Sequence, residues 1–206
     1  MKPFFYTLAI TALATPAFAT EIRTEFGLST LGVYVAPTFE IYDNLNLRAP
    51  LYFGSRDMSF TEDGTTLDGK ITANSGGLML DYYPARNSFR ISAGLLAGGY
   101  DFKANTASVE FDGVTYTGDF DLRVKQDKEV VPALAIGYAR PVGKSGWSIL
   151  DELGAKFAKI EATSSGQEAL AAADLANYER DLQEFNDELG KNDVIPFATL
   201  GVGFTF

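Results

Sequence analysis

The chain has 206 residues, with 17 Lys and Arg against 27 Asp and Glu, a formal net charge of −10, and neither Cys nor His. No basic stripe for phosphates is present, which argues against nucleic acid as a partner. The commonest catalytic base, the thiol nucleophile and the usual zinc ligands are also missing, so no enzyme, metal site or cofactor is expected.

Lys2, an apolar run over residues 4–13 and the triplet Ala17-Phe18-Ala19 make the three parts of a secretory signal peptide, residues 1–19. That run is too short to cross a bilayer as a helix. Residues 20–206 then form one exported domain.

Short connections at 42–44, 84–88 and 141–146 alternate with long ones at 55–70, 103–128 and 163–193. Between them lie segments of strict two-residue alternation. Leu31, Val33, Val35, Phe39 and Ile41 share one parity, as do Leu45, Leu47, Leu51 and Phe53, and then Leu78, Leu80 and Tyr82. Phe89, Ile91 and Leu95 follow, then Val130, Leu134, Ile136 and Tyr138, then Trp147, Ile149, Leu153 and Phe157. The closing segment, IPFATLGVGFTF, sets Leu200, Val202, Phe204 and Phe206 against Thr199, Gly201, Gly203 and Thr205.

These seven strands, joined by a shorter one over 21–28 through a tight turn at Ser29-Thr30, predict an all-β fold. It is an eight-stranded antiparallel up-and-down transmembrane β-barrel with apolar side chains toward lipid and polar ones toward the lumen. Short turns mark the periplasmic end and long loops the outer end of a barrel in a bacterial outer membrane. Tyr42, Tyr82, Phe89, Tyr138, Trp147 and Phe206 flank the short turns, where an aromatic girdle belongs. Asp151 is the misfit: it falls on the lipid parity, and a β-bulge or an oligomer contact would relieve it.

Two outer loops carry structure of their own. Asp112-Gly113 predicts a hairpin over 108–116. Residues 165–190 read as a helical insert, with Ser165 and Glu168 as a capping box, Gly190 as the stop, and an apolar stripe of Leu170, Ala173, Tyr178, Leu182, Phe185 and Leu189. Such a stripe needs cover, from the barrel rim, other loops or a partner.

The inward parity collects Arg23, Glu25, Glu40, Arg48, Asp81, Arg90, Glu152 and Lys156. Eight strands leave a lumen just wide enough for side chains, so enclosed charges must pair. Two readings are open: a plug of salt bridges, or a narrow polar path for a small zwitterion or cation.

The runs FGLSTLGVYV, SGGLMLDYYPARNSFRISAGL, VEFDGVTYTGDF and VVPALAIGYARPVGKSGW, with the Ala/Glu/Asp-rich insert before the last strand, resemble the CarO-type outer-membrane proteins, the ornithine-uptake or carbapenem-associated porins. The resemblance implies eight strands, the tight first turn and passage of small basic amino acids. The expectation is a monomeric porin-like barrel for small cationic or zwitterionic solutes; the alternative is a structural or surface-interaction barrel with no open pore. Its expected partners are outer-membrane lipid and lipopolysaccharide, small solutes, and the barrel-assembly machinery reading Phe204 and Phe206 as a C-terminal signal.

Overall fold

The computed structural model describes residues 22–62, 65–84, 87–111, 114–166, 170–191 and 193–206. The expected signal peptide, Asp112-Gly113 and Glu168 lie outside them. Strands β1 (Ile22–Ser29), β2 (Gly32–Tyr42), β3 (Leu45–Arg48), β4 (Leu51–Glu62), β5 (Thr65–Tyr82) and β6 (Phe89–Phe111) come first. They are followed by β7 (Val114–Gln126), β8 (Val130–Pro141), β9 (Trp147–Lys156), β10 (Ile160–Ser165), helix α1 (Ala172–Leu189) and β11 (Ile195–Thr205).

β1 pairs with β2 on one side and with β11 on the other, so the sheet closes on itself. The closed circuit runs β1, β2, β3/β4, β5, β6, β8, β9, β11, all antiparallel, which makes eight staves and leaves no edge within the closed barrel. β3 and β4 are one stave. Pro50 cannot donate to the ladder, but Ala49 N donates to Pro37 O at 2.9 Å and Gly77 N to Pro50 O at 3.0 Å, so the register carries through.

Side chains alternate as the pleat requires. β8 reads exposed, buried, exposed along nearly its whole length, with Leu134, Ile136 and Tyr138 outside and Val131, Ala133 and Ala135 inside. A belt of exposed Leu, Ile, Val and Phe around a barrel is the surface that hydrocarbon solvates and water does not. Phe89 stacks on Tyr138 at 5.3 Å and Trp147 on Phe204 at 5.0 Å at the short-turn end.

Above the belt the segments expected as loops are largely strand. β4, β5, β6, β7 and β10 form a sheet that continues the barrel wall, with one cross-strand row running Asp57, Lys70, Lys103, Arg123, Thr163. The neighbouring row on the opposite face runs Arg56, Ile71, Phe102, Val124, Ala162. The two faces have exchanged character. Within the belt the outside is apolar and the lumen polar; above it the outside is polar and the inside mostly apolar, as a sheet leaving lipid for water must be.

The helix begins at Ala172, not at 165. Ser165 instead closes β10, its hydroxyl donating to Asp121 at 3.4 Å, and Ala171 is the N-cap without a side-chain cap. Gly190 ends the helix at φ −69°, with no left-handed turn. The helix docks on the rim through a polar contact: the Asn186 amide accepts from Ala162 N at 2.7 Å and donates to Ala162 O at 2.8 Å, completing the free edge of β10 as another strand would, while Phe185 of the apolar stripe stays exposed. Tyr116 on β7 donates to Asp174 in the first helical turn.

Candidate functional site

The lumen is crossed by one connected layer of charged side chains. Arg48, from β3, stands at its centre. Its Nε donates to Asp81 at 2.9 Å, one terminal nitrogen to Tyr34 at 2.8 Å, and the other to Glu152 at 2.5 Å. Arg90 on β6 donates to Glu25 at 2.7 Å and to Glu152 at 3.0 Å. The Tyr34 hydroxyl, having accepted from Arg48, donates to Glu25 at 2.7 Å, and Ser92 donates to Asp81 at 2.7 Å. Arg23 closes the set from below, 3.0 Å from Glu25 and 2.8 Å from the Tyr83 hydroxyl.

Five staves thus supply three guanidinium groups and three carboxylates. Arg48, Arg90, Glu25, Asp81 and Tyr34 are each 0% exposed, so no water-sized space touches them. Charges desolvated this far are tolerable because planar guanidinium forks meet carboxylates with several short bonds each. Tyr52, Met79, Leu96, Leu150 and Phe197 pack against the layer as an apolar core inside the barrel.

Of the eight inward charges expected from the sequence, six meet in this layer. Glu40 does not. It is exposed beside the short turn, where the β2–β3 register shifts between Glu40 and Tyr42 and the barrel opens to water. Lys156 is buried but apart, its ammonium donating to Gly98 O at 3.0 Å. Tyr34 and Ser92 belong to the layer although neither carries a charge; their inward parity was the available signal. Phe204 lies beside Trp147, and Phe206, 79% exposed, stacks edge-on against Phe204 at 5.1 Å.

A second polar surface lies on the outer sheet. A concavity of about 650 Å³ is lined by Asp57, Asp68, Lys70, Lys103, Asn105 and Asp121. Beside it Arg123 grips Asp101 through two bonds of 2.8 Å, and this hydrogen-bonded guanidinium holds the Asp101 carboxyl below its ordinary range. Both signs of charge alternate there within a few ångströms.

No protein-family model and no curated protein matches the chain. Solved structures do, and two of them are crystal structures from Acinetobacter baumannii. The crystal structure of Acinetobacter baumannii CarO2 superposes with a TM-score of 0.61 at 19% identity, over 90% of this chain and 98% of that one. The crystal structure of Acinetobacter baumannii CarO gives 0.56 at 19% identity, over 90% and 97%. The chain has the CarO fold.

Proposed function

We propose that the protein is an outer-membrane barrel closed at rest by its lumen charge layer, with the outer sheet and helix α1 as its working surface. The observation that carries this reading is the complete burial of Arg48, Arg90, Glu25 and Asp81 on one connected layer. A solute crossing the lumen must part these pairs, and leaving one buried partner uncompensated costs about 3–5 kcal/mol. That favours a closed barrel over steady passage of small cationic or zwitterionic solutes. The mixed-sign concavity on the outer sheet, by contrast, is accessible and suits polar or zwitterionic groups.

Proteoliposome swelling tests the reading. The full chain, refolded and shown to be heat-modifiable, should give no swelling in glycine, ornithine or an anion of similar size above that of empty liposomes. Steady uptake of ornithine or glycine would restore the porin reading.

A further inference from the structure

Asp151 stands on the outer face of β9, exposed, between Ile149 and Leu153. The β-bulge that would turn it away is absent: Asp151 pairs in unbroken register with Tyr138 of β8 and Leu200 of β11. It lies four residues up the strand from Trp147, roughly 13 Å along it, which is inside the apolar belt. Among the described residues it has no ion pair and no side-chain hydrogen bond. A carboxyl group in that position, ionised or neutral, faces hydrocarbon with its hydrogen-bonding capacity unmet.

We propose that the outward face of β8, β9 and β11 docks a second copy of this chain within the membrane, with Asp151 at the centre of the contact. The face is self-complementary. Tyr138 and Arg140, one strand over and on the same side, carry a phenol and a guanidinium that can donate, and Asp151 accepts. A two-fold contact uses such a set twice, each copy offering acceptor to donor. Apolar side chains gain little by leaving lipid for one another, so association in a membrane rests on close packing and on polar pairs of this kind. Packing is also provided for. A shallow groove of about 710 Å³ borders Asp151 at Leu200 and is lined by Phe26, Leu28, Ala198 and Val202. Leu153 and Leu200 project beside it, 64% and 68% exposed.

The chain has no Cys, so single-cysteine variants report cleanly on this face. Leu153→Cys, and independently Ile149→Cys, are oxidised in native outer membranes, with Leu51→Cys on the opposite stave as control. Heat-modified migration establishes that each variant has folded. The expected result is a cross-linked band of twice the chain mass for the β9 positions and monomer for Leu51→Cys. Adding Asp151→Leu to Leu153→Cys should lower the dimer yield by at least about three-fold, although it makes the face more lipid-compatible. Yields equal to the control, a yield unchanged by Asp151→Leu, or cross-links to a different protein would each overturn the proposal.

Discussion

Arg48 meets Asp81, Glu152, Tyr34 and Ser92 at once, so its removal leaves three buried carboxylates to two guanidinium groups, with Glu152 and Asp81 each losing its shortest ion pair. Arg48→Met is expected to destabilise the barrel by about 3–5 kcal/mol, read as a lower urea midpoint for loss of the heat-modifiable form in detergent. Arg48→Lys should recover little of it, because a compact ammonium cannot address acceptors on three sides as a planar fork does. Asp101 behaves differently, since it lies in the outer sheet near water. Its carboxyl is held low by Arg123, so the pair contributes above the ordinary carboxylate range and is lost as pH falls through the depressed folded value. Nothing should change between neutral pH and about pH 5. An NMR titration of the Asp101 carboxyl carbon should give a midpoint under about 3.9, returning to the ordinary range in Arg123→Ala; an ordinary midpoint in the unaltered chain would remove the pairing.

Strand β10 depends on a helix for its outer edge. Asn186→Ala should cost about 1–3 kcal/mol locally and abolish slow hydrogen exchange at the Ala162 amide, leaving exchange in β8 and β9 untouched. Deleting Phe206 should act on assembly instead, since that ring stacks on Phe204 at the exposed end of β11; the check is the amount of heat-modifiable protein in the outer membrane against the amount exported. The elements differ in how far their own residues announce them. β8 and β11 were legible because two-residue alternation sustained over ten or more residues does not fit the 3.6-residue period of a helix. The outer sheet was not, because its polar rows resemble solvated loop and their pairing, such as Asp57 to Lys70 to Lys103, is non-local. Ser165 followed by Glu168 imitates a helix start, yet β7 claims Ser165 through its register with Asp121, and tertiary pairing outweighs a local capping preference. The charge layer was legible through parity in Arg48, Arg90, Glu25, Asp81 and Glu152. Glu40 has the same parity and fails because parity does not report distance from the barrel mouth.

At the scale of the whole molecule, one wall is solvated by two media in succession, and the exchange of polar and apolar faces from belt to outer sheet marks the crossing. The lumen below that crossing is filled by a buried layer of charges that balance among themselves. Balance makes a decisive variant available, since removing one arginine orphans its partners whereas removing the network as a unit does not. Replacing a buried ion-pair set as a whole by well-packed apolar residues of similar volume is often close to neutral in stability, whereas breaking one pair is costly. Changing all six, Arg23, Arg48, Arg90, Glu25, Asp81 and Glu152, to Ser removes three positive and three negative side chains and most of the volume of the layer, and orphans none of them. The six-fold variant, its emptied lumen polar and open to water, should still assemble, retain heat-modifiability, and show discrete current steps in planar bilayers where the unaltered chain is silent. A folded variant that stays silent would shift the closure from the charge layer to the packed inner face of the outer sheet, around Phe102, Ala104 and Phe120. Silence in both, followed by current after the helix contact is broken by Asn186→Ala, would locate it at the rim.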